Sequence, residues 1–497
     1  MMKRLLFASA AFAAAAVQAA VKLAAPFTDG MVLQRDMTLR VWGTADAGEK
    51  VSVAFAGARA DAVADKDGKW LAELPPMPAS KEGRVLTANE ARVSDVLVGE
   101  VWMCSGQSNT DCPIWGGNPR YRDGWGAMTL LSTMKPFVRI VKTPLVMATK
   151  PKLDVEVKWR KMTPELYAEW KSGGRMPSAM GYYYALELAN ALDVPVGLVD
   201  SSWGGTNIDA WTPRSGYEGL KDLDAERDWT IVPQNEWKQE MKKGPIGGAV
   251  QQPSALWYGM VAAYAPMTVR GFIWYQGCHN AGEYQRYANK MHALYNGWAR
   301  EFRNPALSLY FVQLAPWGNA GIANIQEAQA KFAAEEKNAA MAVINDVGNL
   351  VDIHPNDKRT VAKRLALHAL RRDYGWSQVR DESPTLKSWK IDGDKFVLSF
   401  NDAEGWYVYN PDRSTNTGFE ICGADGAWKP AKILNFAESK DRNGKPQYLG
   451  PLTGADIVVS AEGVPEPKKL RYLYSSPWFG ALYSDVCLPL GAFHIGD

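Results

Sequence analysis

The hydrophobic and polar positions along the chain change their period twice. In residues 20–96, short runs such as LRVWGTA and VSVAFAG alternate apolar with polar positions, and glycine and Asp-Gly turns separate them. In residues 97–380, apolar β-branched runs such as VPVGLVDSS, RGFIWYQ and MAVIND alternate with helical stretches. Strict alternation then returns in KFVLSF and ADIVVSA. The pattern predicts an α/β domain with a parallel sheet at 97–380, flanked by β-domains at 20–96 and 381–497.

One helical stretch has a clear apolar face. Between Glu283 and Phe302, apolar side chains recur at a spacing of three or four residues: Tyr287, Met291, Leu294, Trp298 and Phe302. Residues at this spacing lie on one side of an α-helix, so the segment is predicted to pack against the sheet.

The N-terminus has the layout of a secretory signal. MMKRLLFASAAFAAAAVQA begins with basic residues, continues with an apolar stretch too short to span a bilayer, and ends with small residues. Val17 and Ala19 fit positions −3 and −1, so residues 1–19 are predicted to be removed after Ala19. The mature protein is expected to be soluble and secreted or periplasmic.

Charge and aromatic content restrict the kinds of molecule that the protein is expected to bind. The chain has 56 basic and 54 acidic residues, and loss of Lys3 and Arg4 with the signal leaves the two numbers equal. This balance predicts neither a nucleic-acid nor a membrane partner. A single tryptophan or tyrosine more often packs in a core than stacks on a sugar. The 20 tryptophans and 20 tyrosines together nevertheless favour a carbohydrate partner.

Four polar clusters follow predicted strands: SGQSN, SSWGGTNIDAW, WYQGCHNA and DVGNLVDIHPNDK. Ligands of open α/β sheets bind outside the carboxyl ends of the strands, so these loops are expected to converge on one site. The residues suit acyl transfer, which needs a nucleophile, a base, a group that orients the base and donors for the oxyanion. Ser108 is the candidate nucleophile, and its alternative role is that of a turn or helix-cap serine.

Five histidines compete for the role of base: His279, His292, His354, His368 and His494. His292 and His368 lie in predicted helices and His494 lies at the C-terminus, which leaves His354 and His279 at the sheet edge. No pair of histidines or cysteines has metal-ligand spacing, so no metal is expected. No glycine-rich phosphate loop follows a strand, so no nucleotide cofactor is expected either.

The motifs GQSN, SSWGGT.I.AW, WYQG..N and DIHP..K, in this order, resemble the sialate O-acetylesterase group of SGNH hydrolases. The segments DGMVLQRD, VWGTA and DG.W are similar to the N-terminal β-domain of that group, so the resemblance covers almost the whole mature chain. It implies a flavodoxin-like three-layer α/β/α catalytic domain, whose flanking β-domains frame the cleft or hold the glycan.

The resemblance also implies roles for individual residues. Ser108 becomes the nucleophile and His354 the general base. The oxyanion donors become the Ser108 amide, the backbone amide of Gly204 or Gly205, and the side chain of Asn280, for which a helix cap is the alternative role. Gln107 and Gln276 become supporting residues, with Gln107 shaping its loop.

The chain departs from the group's pattern at two positions. The usual acid lies three residues before the histidine, where this chain has Val351. Asp352 is the nearest carboxylate and is predicted to orient His354, with Asp346 as the alternative. In the third motif, relatives have glutamate where this chain has Cys278, which removes a negative charge.

The predicted function is removal of acetyl groups from sugar hydroxyls by a serine mechanism with an acetyl-enzyme. O-acetylated sialic acid, esterified at position 9, is the leading substrate. Acetylated xylan or another acetylated glycan is the alternative substrate, and a non-catalytic glycan-binding protein is the alternative class. Arg120 and Arg122 are guesses for an arginine that binds the sialate carboxylate.

The cysteines yield a separate hypothesis. A signal peptide implies an oxidising compartment, in which thiols tend to pair. Cys112 and Cys278 follow two strands whose loops should converge, so a disulfide between them would brace the site. Two separate thiols are the alternative. A second pair, Cys422 with Cys487, is a weaker hypothesis, and Cys104 is expected to pack unreactively in its strand.

Overall fold

The structure is a computed structural model. It describes residues 21–114, 134–171, 175–238, 248–317, 320–348, 352–408, 417–436, 439–440, 442–444, 446–447, 452–474 and 482–496. The predicted signal peptide, Arg120, Arg122 and Val351 lie outside the described residues.

The N-terminal region is built from short strands. They are β1 (Lys22–Leu23), β2 (Val32–Gln34), β3 (Leu39–Thr44), β4 (Lys50–Phe55), β5 (Ala58–Val63), β6 (Lys69–Leu74) and β7 (Ser80–Ala88). Strands β1, β3 and β6 form an antiparallel sheet, and β4 pairs with β5 and β7. Along β3 and β4, buried residues alternate with more exposed ones, as the sequence pattern predicts.

The central sheet has mostly parallel strands. They are β8 (Ala91–Gly106), β9 (Val138–Lys142), β10 (Arg160–Lys161), β11 (Val196–Ser202), β12 (Gly271–Tyr275), β13 (Ser308–Val312) and β14 (Ala339–Ala342). Their order is β10-β9-β11-β8-β12-β13-β14, and only β10 is antiparallel to its neighbour. Every residue of β11, β12 and β13 is buried, which explains their continuous apolar runs. The predicted α/β class is confirmed.

Strand β8 joins the N-terminal region to the central sheet. Its first half pairs with β7 and β2, and its second half pairs with β11 and β12. One hydrophobic core contains side chains from both regions, for example Val53 and Trp102. The border predicted between residues 96 and 97 falls within this strand, and the domain borders stay predictions.

The chain between these strands forms helices. The α-helices are α1 (Ser108–Asp111), α2 (Pro164–Lys171), α3 (Ala179–Leu192), α4 (Asp224–Arg227), α5 (Tyr284–Glu301), α6 (Ala320–Glu335) and α7 (Lys358–Arg372). Shorter 3-10 turns occupy Asp209–Trp211, Arg214–Tyr217, Lys221–Leu223, Gln234–Glu236, Ala249–Gln251 and Cys278–Glu283, and a π-turn occupies Trp257–Val261. None of the described helices is long and apolar enough to cross a bilayer.

Helix α5 agrees with its prediction to within one residue at each end. The side chains of its predicted apolar face, from Tyr287 to Phe302, are at most 1% exposed. Trp298 stacks on Phe272 of β12, with ring centroids 4.4 Å apart. This contact packs α5 on the central sheet.

The C-terminal region has its own hydrophobic core. Its strands are β15 (Thr385–Asp392), β16 (Lys395–Asn401), β17 (Gly405–Val408), β18 (Phe419–Cys422), β19 (Trp428–Ile433), β20 (Ser439–Lys440), β21 (Pro446–Gln447), β22 (Leu452–Thr453), β23 (Asp456–Ala461), β24 (Lys469–Tyr472), β25 (Leu482–Ser484) and β26 (Phe493–Ile495). The largest of its sheets has the order β15-β16-β23-β19-β18-β24-β26 and is antiparallel. A β-rich C-terminal region is therefore present, as predicted.

A buried carboxylate links the N-terminal region to the central sheet. The side chain of Glu100 in β8 is fully buried and lies 2.5 Å from Arg35 Nε and 3.2 Å from Arg270 Nε. It also accepts a hydrogen bond from Gln34 Nε2 at 2.9 Å. Burial raises the pKa of Glu100, but the two arginines and Gln34 together lower it by a larger amount. The pKa of Glu100 therefore lies below its usual value. The ionised carboxylate therefore stabilises the junction.

We expect Glu100→Ala to lower the free energy of unfolding by about 3 kcal/mol, because removal of one partner leaves buried charge uncompensated. Urea unfolding followed by circular dichroism measures this loss. Glu82→Ala is the control, since its side chain is 71% exposed and pairs only locally with Arg84. Equal unfolding midpoints for the two variants would contradict the role assigned to Glu100.

Candidate active site

Ser108, His354 and Asp352 lie in hydrogen-bond contact at the carboxyl edge of the central sheet. Ser108 Oγ lies 2.9 Å from His354 Nε2, and His354 Nδ1 lies 2.6 Å from Asp352 Oδ1. The same carboxylate oxygen accepts from the His354 backbone N–H at 2.9 Å. Because a carboxylate accepts the Nδ1 proton, Nε2 is left as the acceptor that faces the serine hydroxyl. The three residues thus have the contacts of a nucleophile, a base and an orienting acid.

The turn after β8 presents Ser108. Gly106 has φ of +138°, and a Cβ there would lie 2.4 Å from the Tyr275 carbonyl oxygen. Only glycine permits this conformation and this close approach. The same carbonyl accepts from the Gln107 backbone N–H at 3.1 Å and from Thr110 Oγ1 at 3.0 Å. Strand β12 therefore fixes the start of α1 and, with it, Ser108.

Asn109 and Lys358 connect the two loops that carry Ser108 and His354. Asn109 Nδ2 donates to the Ile353 carbonyl at 3.1 Å, and Lys358 Nζ donates to Asn109 Oδ1 at 2.6 Å. Neither residue was predicted to have a role from the sequence, although Asn109 lies in the GQSN motif and Lys358 in the DIHP..K motif. Their closeness in sequence to Ser108 and His354 is the feature from which a supporting role could have been predicted.

The His354 imidazole is mainly neutral at pH 7. Burial lowers its pKa below the usual value because the charged ring would lose hydration. The hydrogen bond and charge of Asp352 oppose this shift, whereas the charge of Lys358 adds to it. A neutral imidazole can accept the serine proton, so the electrostatics favour a basic role.

The alternative acid, Asp346, has another partner. Its two carboxylate oxygens accept from Arg364 Nη1 at 2.6 Å and Arg364 Nη2 at 2.7 Å. Of the two predicted carboxylates, Asp352 is thus the one in contact with His354.

The predicted oxyanion groups do not share one environment. A Cβ built on Gly204 would lie 3.5 Å from Ser108 Cβ, whereas one built on Gly205 would meet open space. The backbone N–H groups of Ser108 and Gly204 donate to no acceptor within the described ranges. Both amides are therefore available to an incoming carbonyl oxygen.

The Asn280 side chain is 1% exposed and fully hydrogen-bonded. Its oxygen accepts from the Ile208 backbone N–H at 3.1 Å, and its nitrogen donates to Asp209 at 3.4 Å and Glu283 at 3.2 Å. Lys290 Nζ lies 2.9 Å from Asp209 and 2.7 Å from Glu283, at a side-chain exposure of 2%. The structure thus brings Asn280 to the loop after β11, with its amide nitrogen turned toward a buried ion cluster.

The predicted supporting glutamines lie between the same loops. Gln107 Oε1 accepts from the Gly277 backbone N–H at 3.0 Å. Gln276 Oε1 accepts from Tyr287 Oη at 2.8 Å, and Gln276 Nε2 donates to Asn280 Oδ1 at 2.8 Å. Both side chains therefore contact the loop after β12.

A second ion cluster, which sequence reasoning missed, holds the end of α1. Lys142 Nζ lies 2.7 Å from Asp111 and 2.9 Å from Asp200, and Arg175 Nη2 lies 2.7 Å from Asp111. Ser202 Oγ donates to Asp200 at 2.8 Å. Lys142 and Asp200 each follow a run of apolar residues in their strands. A charged residue at such a position is the sequence feature from which this cluster could have been predicted.

His354 is the histidine that contacts Ser108 Oγ among the described residues. His279 is exposed in the turn after β12, and His292 and His368 lie in α5 and α7 as predicted. His368 forms, with Asp381 and Glu382, a cluster of possible metal ligands in the described part of the chain. Arg372 already binds both carboxylates of this cluster.

The hypothesised disulfides are wrong. All five cysteines are among the described residues, and none is disulfide-bonded. The Cys112 carbonyl accepts from the Ala179 N–H at 2.9 Å, which ties this residue to the start of α3. Burial raises the pKa of Cys278 to about 12, so its thiol is neutral. Cys422 lies in β18, whereas Cys487 lies in an exposed turn after β25, a strand of a different sheet.

Residues 98–370 match the family model described as carbohydrate esterase, sialic acid-specific acetylesterase. The chain belongs to this family. The match spans the predicted loops that carry Ser108, Gly204, Asn280 and His354. This carbohydrate esterase family accounts for the order of the four sequence motifs.

Full-length relatives agree with this membership. The sialate O-acetylesterase of Rattus norvegicus is 28% identical over an alignment of 467 residues, and the match covers 82% of this chain and 83% of the relative. The Homo sapiens sialate O-acetylesterase is 27% identical and covers 83% of this chain and 82% of its own length. A solved carbohydrate acetylesterase from Xanthomonas citri is 28% identical, with a TM-score of 0.77, over 96% of this chain and 99% of that one. The protein is an esterase of the carbohydrate-active class.

Proposed function

We propose that this carbohydrate esterase hydrolyses sugar O-acetyl esters with Ser108 as nucleophile, His354 as general base and Asp352 as the acid that orients the base. The observation that carries the proposal is the continuous hydrogen-bond path from Ser108 Oγ through His354 to Asp352. We also assign the central domain to the flavodoxin-like three-layer class of SGNH hydrolases, on the basis of its parallel sheet and the motif order.

In the first half-reaction, Ser108 Oγ attacks the acetyl carbonyl carbon while His354 Nε2 takes the hydroxyl proton. The tetrahedral intermediate collapses and breaks the bond to the sugar oxygen, which receives the proton from His354. Asp352 stabilises the imidazolium between these two transfers. The products are the free sugar hydroxyl and acetyl-Ser108.

In the second half-reaction, water attacks acetyl-Ser108 and gives its proton to His354. Collapse of the second intermediate releases acetate and returns the proton to Ser108 Oγ. The unpaired amides of Ser108 and Gly204 are suited to bind the negative oxygen in both halves. The Asn280 side chain joins them only if it gives up a hydrogen bond to Asp209 or Glu283.

We propose 9-O-acetylated sialic acid as the leading substrate, because the rat and human relatives that match most of the chain are sialate O-acetylesterases. Another acetylated glycan is the second candidate. It is favoured by the likeness to the Xanthomonas citri carbohydrate acetylesterase, which extends over 96% of this chain. Both substrates would use the same acyl site.

Acetate release from 9-O-acetylated sialoglycans and from acetylated xylan, at matched ester concentration, distinguishes the two candidates. We expect kcat/KM to be at least about tenfold higher for the sialoglycan, which corresponds to 1.4 kcal/mol of differential transition-state binding. The control is enzyme-free hydrolysis of each ester. A preference for xylan acetate would move the assignment to the second candidate, and activity on neither ester nor on p-nitrophenyl acetate would favour a glycan-binding protein.

Ser108→Ala should lower kcat by about 10^4-fold or more, because the members of a triad act as a unit. The side chain is only partly buried at the sheet edge, so the melting temperature should stay within about 2 °C of wild type. Acetate release and a thermal melt measure the two quantities. A variant that keeps most of its activity would remove the serine mechanism.

Asp352→Asn should lower kcat by about 10^3-fold or more, since the imidazole then loses its orienting carboxylate. The pH profile supplies a second readout. His354 acts only when neutral, so activity falls as the pH drops through its lowered pKa. Asp352 raises that pKa, and its loss should shift the acid limb to still lower pH.

Asp346→Asn is the matched control for this carboxylate. It breaks the pair with Arg364 and should leave the acid limb of kcat/KM unchanged. An inactive Asp346 variant beside a nearly normal Asp352 variant would show that the carboxylate was assigned wrongly.

A further inference from the structure

Three side-chain amides meet where the loops after β8, β11 and β12 converge. Gln107 is 4% exposed, Gln276 is fully buried and Asn280 is 1% exposed. In each case, a neighbouring group fixes which end of the amide is the oxygen. The Gly277 N–H donates to Gln107, the Ile208 N–H donates to Asn280, and the Thr206 carbonyl accepts from Gln276. Backbone groups cannot exchange these roles, so the direction of each NH2 group is determined.

Two of the three NH2 groups are already used. Asn280 Nδ2 donates to Asp209 at 3.4 Å and to Glu283 at 3.2 Å. Gln276 Nε2 donates to the Thr206 carbonyl at 3.1 Å and to Asn280 Oδ1 at 2.8 Å. Neither amide has an N–H left over for a substrate.

The NH2 group of Gln107 differs from the other two. Its Nε2 donates to no acceptor within the part of the chain that the structure describes, although the residue is almost fully buried. Nε2 itself is not a buried atom without a partner, so it keeps contact with solvent and is open to a substrate. Gln107 also directly precedes Ser108, and its backbone N–H is anchored on the Tyr275 carbonyl.

The ion cluster around Lys290 explains why Asn280 stays engaged. Lys290 lies 2.9 Å from Asp209, 2.7 Å from Glu283 and 3.5 Å from Glu226. For the Asn280 NH2 group to turn away, two carboxylates would lose a donor, and the Ile208 N–H would lose its buried acceptor. Loss of such partners at a buried site is unfavourable, so the Asn280 amide is held in its orientation.

We propose that Gln107 is a catalytic residue that donates from Nε2 to the carbonyl oxygen of the scissile acetyl group, while Asn280 is a positioning residue that holds the loops after β11 and β12 together. The inference rests on the proposed Ser108 mechanism and names its side-chain oxyanion donor. A neutral amide suits this role because it stabilises the developing oxyanion without binding acetate as a full charge would. Gln107 Oε1 still accepts the hydrogen bond from the Gly277 N–H, and this contact fixes the orientation of the NH2 group.

The decisive comparison uses Gln107→Glu and Gln107→Met, assayed by kcat and KM for p-nitrophenyl acetate and by urea unfolding. Gln107→Glu keeps an acceptor for the Gly277 N–H, removes the donor and adds a negative charge. Gln107→Met removes the donor without adding a charge. Both should lose about 10^2- to 10^3-fold in kcat with KM within about threefold of wild type, the effect typical of one lost oxyanion donor.

Gln276→Glu is the matched control. It keeps the acceptor for Tyr287 Oη but loses two hydrogen bonds that exist in the free enzyme. We expect it to lower the urea midpoint more than Gln107→Glu does, because the Gln107 NH2 group makes no hydrogen bond in the free enzyme. A merely structural Gln107 would give the reverse result, with reduced stability and normal kcat per folded molecule.

Further outcomes separate the possible errors. Wild-type kcat in Gln107→Met overturns the inference even if Gln107→Glu is inactive, since the added charge alone would then explain the loss. An Asn280→Ala variant that loses kcat as strongly as Gln107→Met, at unchanged stability, transfers the donor role to Asn280. Ser108→Ala is assayed in parallel. If that variant is inactive while both Gln107 variants are normal, only this inference fails, and if it is active, the proposed function fails with it.

Discussion

The close approach of Gly106 to the Tyr275 carbonyl is the contact on which the geometry of the site depends. That one oxygen receives the Gln107 N–H and the Thr110 hydroxyl, so the end of β12 determines where α1 begins. A Cβ at position 106 would push the two strands apart at this point. Because Ser108 is the first residue of α1, a displaced turn would move its Oγ away from His354. Ser108, the proposed nucleophile, is therefore positioned by backbone packing within the sheet.

Three lysines, of which Lys358 and Lys290 are buried, then fix the loops around this turn. Lys358 holds Asn109, Lys142 holds Asp111, and Lys290 holds the carboxylates that contact Asn280. Burying charge is expensive, and paired charges in protein interiors often contribute little net stability. Each of these lysines instead joins segments that are distant in sequence and meet at the acyl site. Their common effect is to restrict the relative positions of the loops that carry Ser108, His354 and Asn280.

Structure could be predicted from the sequence where the signal was local, as in the spacing of apolar residues along a helix or a polar motif directly after a strand. Helix α5 was predictable because its apolar period is local. The convergence of Ser108, His354 and Asp352 was predictable because their motifs follow strands that end at one edge. The cysteine pairing failed for a physical reason. Two loops can converge while their side chains point in different directions, and Cys112 is anchored on α3 rather than on the loop of Cys278.

The partners of Asn280 and Lys142 were likewise hidden from sequence, because they depend on how separate loops fold over the sheet edge. A motif identifies which residues come to the site but does not reveal which hydrogen bonds they already make there. The orientation of an amide depends on neighbours such as the Ile208 N–H, which carries no side-chain signal at all.

Cys278, at a position where the motif resemblance implies a glutamate, fits this arrangement of charge. Burial raises the pKa of the thiol to about 12, so position 278 carries no charge at neutral pH. The nearby carboxylates are Glu283 of this loop and Asp209 of the loop after β11, and both are compensated by Lys290. A carboxylate left uncompensated near the acyl group would oppose the negative charge that develops on the carbonyl oxygen. With Cys278 uncharged, the negative charge near this loop is confined to Asp209 and Glu283, where the buried Lys290 balances it.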